Sequence, residues 1–420
     1  MDTHQISFRK LTQNPLARNS AIVFAGSMAA NVLAYVYHLI MGRLLGPAGY
    51  GELSSLFSLL YIFGVPLLVA QTVLVKFVSG FKAHGEVGQA KSLFIKATKL
   101  FAIVSVAGFP VVLVIAPWVT SYLHLSSTIL FILVYILLVV SLFTVGAGSM
   151  LTGYQKFIWV SVLGALALLV KIIISVPFAA WRVPGVMIAA VIASIIIYAV
   201  YFIPLRSVLS VTRVPTAIKW RDAFGFAIPT LLTQLGITSL YSADIILVRH
   251  FFDAKSAGLY AALAILGKII FYASGAVPVV LFPIASERTA LGSKTKKLVL
   301  SAIGAVLAIS AGITMLYFLF PDFIVNLLFG NAYQGAVTML GQFGIFLGLF
   351  SVANIITYAS LAVGKTRIWL VAAVAALIQI AGITMFHDTI SGVISINIAV
   401  CLLYVIFAGG YYLVNIHEKV

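Results

Sequence analysis

The residues of this sequence that could do chemistry are charged side chains set inside long apolar runs. Asp244 sits in ITSLYSADIILVRHFF, Lys171 in LGALALLVKIIISVPF and Lys268 in AALAILGKIIFYAS. A charge at the centre of a membrane helix costs at least about 2.5 to 3.5 kcal/mol on insertion scales, so it faces a bundle interior or a wet cavity. A carboxylate in such a place binds a proton or a cation, and either ligand shifts the balance between two conformations. The other reading of Asp244 is an ion pair, with Arg249 five residues on or with another cavity cation. Lysines there attract anions, because a partly dehydrated cavity screens charge far less than water. Their alternative is a structural salt bridge, although acids deep in the apolar runs are too few to pair them all.

Spacing adds to this. Ser27, Asn31, Tyr35 and His38 fall on one face of a first apolar helix, and Thr230, Gln234, Ile237, Tyr241 and Asp244 on one face of a seventh. The two stretches are related: Asn31–Ser54 recurs as Ile237–Ala261, with Tyr35, His38 and Arg43 answered by Tyr241, Asp244 and Arg249 at one offset (241−35 = 244−38 = 249−43 = 206). Gly51 and Gly258 follow with a slip of one. His38 is either a second titrating group, since histidine ordinarily titrates near neutral pH, or a packing residue. An eighth helix stacks Tyr260, Ala264, Lys268 and Tyr272 at intervals of four, an aromatic-flanked cation on one face. Arg43 and Arg249 close their helices at the outer end, as cargo contacts, gate residues or headgroup anchors.

The elements that must position these groups follow from composition. With 62% hydrophobic and 9% charged residues, the chain lies far from the soluble norm of roughly 45–50% apolar and about 25% charged. Apolar runs of about 20 residues predict about twelve transmembrane helices, near 20–45, 52–78, 95–117, 127–152, 158–180, 185–206, 223–250, 257–284, 297–319, 332–362, 368–386 and 391–415. The fold class is therefore an all-α polytopic membrane protein. Further repeats support a duplication: Gln155-Lys156 and Ile158-Trp159 return as Gly364-Lys365 and Ile368-Trp369, and Val65-Pro66 as Val277-Pro278. Six helices per repeat is an even number, so the halves are parallel lobes. The expected organisation is a basic cytoplasmic tail (1–19), an N-lobe (20–206), a cytoplasmic linker (207–222) and a C-lobe (223–420). Basic residues crowd one side, about twenty against Arg43, Arg182, Arg249 and Lys255, which puts both termini inside by the positive-inside rule. The net charge of +16 is spread over short loops rather than gathered in a patch, which excludes nucleic acid as the expected partner. The single cysteine, Cys401, excludes disulfides and cysteine metal sites within one chain. Pro66, Pro278 and Pro283 inside apolar helices predict kinks or hinges.

GRLLGPAGYGELSSL after the first helix and FPDFIVNLLFGNAY between the ninth and tenth resemble the polysaccharide-transporter branch of the multidrug/oligosaccharidyl-lipid/polysaccharide (MOP) exporter superfamily, over the whole chain. The resemblance implies two six-helix lobes around a central cavity, and a flippase that moves an isoprenoid-pyrophosphate-linked oligosaccharide to the outer leaflet by alternating access. On that reading Lys171, Lys268, Arg43 and Arg249 meet the pyrophosphate or line the cavity as cations. Asp244 and His38 take the coupling proton or ion, and Asn31, Tyr35, Thr230, Gln234, Tyr241, Tyr260 and Tyr272 line the cavity. Implied partners are the lipid-linked oligosaccharide, membrane lipids, a proton or sodium ion, and polysaccharide polymerase and assembly proteins; the expected location is the cytoplasmic (inner) membrane. No cofactor, metal or catalytic residue is expected, since the sequence has no P-loop, HExxH or CxxC. Two alternatives stand beside this: a cation-coupled multidrug exporter of the same superfamily, and a membrane enzyme of polysaccharide assembly, against which the tiny outer loops argue.

Overall fold

Inside a bilayer no water satisfies backbone N–H and C=O groups, so a chain this apolar must form helices or a closed barrel. It forms helices. The computed structural model describes residues 15–215, 220–275, 277–278, 281, 284–285 and 295–416, and within them leaves the side chains at 15–24, 220–227, 229–230 and 415–416 undescribed. The longer helices are α1 (Pro15–Ala83), α2 (Val87–Tyr122), α3 (Ile129–Gly153), α4 (Phe157–Phe178), α5 (Arg182–Leu209), α6 (Trp220–Leu240), α7 (Ala243–Phe251), α8 (Ala254–Ser274), α9 (Lys296–Leu319), α10 (Pro321–Leu328), α11 (Leu340–Ala362), α12 (Trp369–Met385) and α13 (Ile390–Ile416). Among the described residues there is no strand.

Length and composition alone give nine helical stretches able to cross a membrane among the described residues, or ten with the bent pair α6–α7. Two of these are too long for one crossing. A helix of 59 residues (Ala25–Ala83) would reach about 90 Å at 1.5 Å per residue, three times the hydrocarbon core. It breaks at Gly46, whose φ of 66° and ψ of 176° no helix contains. The 53-residue stretch Phe157–Leu209 breaks at the short turn Ala179–Trp181 and at Arg182, which takes φ 58°. Dividing both gives twelve spans (10 + 1 + 1), the number expected from the apolar runs.

Helix ends that correspond in sequence are built alike. At the end of α3, Gln155 N–H donates to Thr152 O at 2.9 Å and Lys156 N–H to Leu151 O at 2.9 Å. The end of α11 repeats this, with Gly364 N–H on Leu361 O at 3.0 Å and Lys365 N–H on Ser360 O at 2.9 Å. Both are the left-handed C-terminal cap that favours glycine.

The chain divides into two compact units. Unit 1 holds the described residues of Met1–Met41, Pro66–Ser121 and Leu125–Ala223; unit 2 holds those of Gly42–Val65, Tyr122–His124 and Phe224–Val420. The expected linker (207–222) starts inside α5 and includes residues outside the described set (216–219), as does the expected tail (1–14). Unit 1 packs Leu74, Val78, Leu93, Phe94, Phe101, Met150, Leu151 and Leu205 into one core. In unit 2, α11 is the central helix, with Phe343, Phe346 and Phe350 buried. Its Gly341, Gly344 and Gly348 lie against Phe318, Thr314 and Ser310 of α9, where a Cβ would come within 2.4, 3.1 and 3.3 Å. Small residues let membrane helices approach closely where no hydrophobic effect drives them together.

One expected helix is not continuous. The apolar run predicts a single span over 223–250, but α6 stops at Leu240 and α7 starts at Ala243, bent by 44°. A side chain entering the backbone ladder is a recognised cause of such breaks. Here Gln379 of α12 donates to Leu240 O at 2.9 Å, taking the carbonyl that the break frees.

Candidate functional site

The break lies beside the buried acid. Asp244 sits in the first turn of α7, 1% exposed, where the helix dipole favours a negative charge. Its Oδ1 accepts from Ile245 N–H at 2.9 Å, and its Oδ2 accepts from the Tyr260 hydroxyl of α8 at 2.6 Å. Tyr260 in turn accepts from Asn397 Nδ2 of α13 at 2.8 Å, and Asn397 Oδ1 accepts from Gln379 Nε2 at 2.9 Å. The same Gln379 nitrogen holds Leu240 O. One buried hydrogen-bond chain therefore runs from the carboxylate across α8, α13 and α12 to the broken end of α6. Buried polar networks matter because each unpaired member would be costly in this medium.

Lys268, 4% exposed, acts on the Asp244 carboxylate electrostatically. Its Nζ stands 5.2 Å from the ring centroids of both Tyr61 and Tyr241, so this cation rests on two aromatic faces. The expected aromatic flanks were Tyr260 and Tyr272. Tyr260 instead serves Asp244, and Tyr272 is 42% exposed beside Phe271, because four-residue steps drift around a helix of 3.6 residues per turn. Tyr241, Asp244, Ala264, Lys268, Phe343, Phe346 and Leu347 line a cleft too narrow for a water molecule.

The ion pair expected as the alternative for Asp244 is not made with Arg249. That guanidinium points the other way, donating to Leu123 O at 3.0 Å and His124 O at 2.7 Å, and the charge acting on it is Glu52. Glu52, at the corner just after the Gly46 break, is also buried, at 6% exposed. Its signal was present in the sequence, but GYGELSS reads as a polar corner. Arg43 likewise donates to backbone, from Nε to Leu328 O at 3.1 Å and from Nη2 to Leu327 O.

Unit 1 holds the other predicted residues. Lys171 Nζ lies 4.1 Å from the Tyr37 ring centroid, and Tyr37 packs edge-on to buried His38. Tyr35 is partly buried and Asn31 exposed. In unit 2, Gln234 hydrogen-bonds the Tyr358 side chain. Thr230 falls outside the described side chains, and Pro283 outside the described residues. The residues that the sequence reading missed are Gln379, Asn397 and Tyr61. Gln379 and Asn397 are lone amides in apolar runs, a weaker signal than the charge of Lys171, and neither helix belongs to the repeated stretch.

The chain is thus a multi-pass helical protein with a broken span at a buried carboxylate. Solved structures match it along nearly its whole length. The lipid II flippase MurJ in its inward closed conformation is 14% identical with a TM-score of 0.72, over 94% of this chain and 87% of that one. A multidrug-resistance MATE-family transporter of the MOP superfamily, inward-facing, is 14% identical with a TM-score of 0.72 over 91% and 94%. An outward-facing structure of a MATE-family transporter is 12% identical with a TM-score of 0.67 over 98% of each chain. No protein-family model and no curated protein sequence matches the chain. At such identities the likeness shows the fold, which is that of MOP-superfamily transporters.

Proposed function

We propose that this protein is an ion-coupled flippase of the cytoplasmic membrane, both termini inside, that moves an isoprenoid-pyrophosphate-linked oligosaccharide to the outer leaflet by alternating access. The observation that carries the reading is a carboxylate and an ammonium in one dehydrated cleft at a break in a spanning helix. Asp244 is the coupling residue. When a proton or sodium ion neutralises it, the hydroxyl of Tyr260 loses its ionic acceptor, and the change passes through Asn397 and Gln379 to the Leu240 carbonyl at the helix break. Lysines 171 and 268 are the cargo cations, each held over tyrosine within its own unit, and the cleft around Lys268 must widen before an anion reaches it. Polymerase and assembly proteins would receive the product. A cationic-drug exporter fits this cleft less well, because Lys268 repels its cargo.

The test uses purified protein in proteoliposomes. Asp244→Asn keeps the size and a hydrogen-bond acceptor but cannot gain a charge-neutralising ligand. Transport by this variant is expected to lose its dependence on the proton or sodium gradient. An unchanged dependence would return Asp244 to a purely structural role.

A further inference from the structure

The repeated arginines make a reciprocal pattern inside unit 2. Arg43, from the first repeat, binds the carbonyls of Leu327 and Leu328, the last residues of α10 in the second repeat. Arg249, from the second repeat, binds the carbonyls of Leu123 and His124, just past the end of α2 in the first. The donors stand 206 apart (249−43) and the acceptor dipeptides 204 apart (327−123 = 328−124), with the fork reversed between them, so each arginine of the duplicated motif grips the corresponding helix end of the other repeat. Both acceptor pairs belong to a helix end, where the last carbonyls have no intrahelical donor and a guanidinium fork is well placed to take two of them.

Each grip has a second hold. Beside Arg43, the Tyr333 hydroxyl donates to Gly42 O at 2.8 Å, and the Phe329 ring lies so close to Gly42 that a Cβ there would sit 2.6 Å from it. Beside Arg249, the His250 ring stacks on Tyr122 at 3.8 Å with its Nδ1 2.7 Å from Tyr122 O. Three successive carbonyls, 122 to 124, are thus occupied by one dipeptide, and His124 is held in the left-handed region at φ 47°. The two corners also touch, Gly51 against Gly258 and Gly258 against Pro47.

We propose that Arg43 and Arg249 are paired latches that hold this end of unit 2 shut and open in each transport cycle. This rests on the transporter reading above. Each guanidinium is held by backbone carbonyls; Arg43 is exposed, so water can replace its bonds as it lets go, whereas Arg249, 6% exposed, meets water only once its loop has moved. Near-equivalent donors and acceptors mean that the two loops release by the same kind of motion.

The experiment reads opening directly and needs no cargo. In a Cys401→Ala background, a reporter thiol is placed at Ala336 for the Arg43 latch or at Leu123 for the Arg249 latch, positions that are 0% and 1% exposed. Purified protein in nanodiscs is labelled with a soluble maleimide well below its unfolding temperature. Arg43→Ala should speed labelling at 336, and Arg249→Ala at 123, by about tenfold, as expected for losing charge-assisted bonds. Arg43→Lys and Arg249→Lys keep the charge, lose the fork, and should fall between, which covers the case where an alanine variant does not fold. Unchanged labelling in the folded variants overturns the latches. So does labelling that rises only together with a fall in unfolding temperature, which marks plain helix caps. Faster labelling supports them even if the cargo proves to be a drug.

Discussion

At the residue scale the repeated motif is most informative where its copies differ. His38 and Asp244 answer each other in sequence, yet His38 packs against Tyr37 while Asp244 anchors a five-helix hydrogen-bond chain. The charged residues were legible because a charge in an apolar run is conspicuous; the amides that complete the chain were not, because they carry no charge and recur at no offset. A simpler residue gives the first stability prediction. Asp253 caps α8, accepting from the N–H groups of Lys255 at 2.9 Å and Ser256 at 3.1 Å, and the Ser256 side chain first, then these N–H groups, hold its carboxyl below the ordinary value. A depressed carboxyl contributes stability above its unfolded value of about 3.9 and loses it as pH falls through the folded value. Asp253→Ala should therefore cost about 1 kcal/mol at neutral pH, with the gap from wild type closing below about pH 4. Asp253→Asn should keep most of the cap and show no such pH dependence, as read by unfolding in detergent.

At the element scale, twelve spans were readable from run length, since the bilayer sets one dimension for all of them. The break between α6 and α7 was not, since the side chain that takes the freed Leu240 carbonyl lies 139 residues away. The corner glycines carry a similar long-range message. A Cβ on Gly258 would come 1.8 Å from Pro47 O, a backbone atom with no rotamer to escape into. Gly258→Ala should therefore destabilise by at least about 1–3 kcal/mol. Gly304, mid-helix in α9 with nothing within 4 Å of a Cβ, is the control. Gly304→Ala should be neutral or stabilise by roughly 0.5–1 kcal/mol. Thermal unfolding of both variants in one detergent decides this, and equal effects would contradict the close crossing.

At the scale of the whole molecule, composition and duplication made the fold class readable, while cargo depends on where a few charges sit. Among the described residues each unit sets a helical lysine over tyrosine: Lys171 on Tyr37 in unit 1, Lys268 on Tyr61 and Tyr241 in unit 2. Only Lys268 also acts on Asp244. If both bind an anionic cargo, their loss should differ in kind. Lys171→Ala should lower export of the lipid-linked glycan while its dependence on the ion gradient keeps its shape. Lys268→Ala should lower export and shift that dependence, because the carboxylate loses its neighbouring charge. The measurement is accumulated lipid-linked oligosaccharide in a deletion strain carrying each variant, with membrane levels of the protein matched, together with gradient titrations in proteoliposomes. Normal glycan export by both single variants and by the double variant would remove the cargo role from the lysines, whatever Asp244→Asn does to coupling.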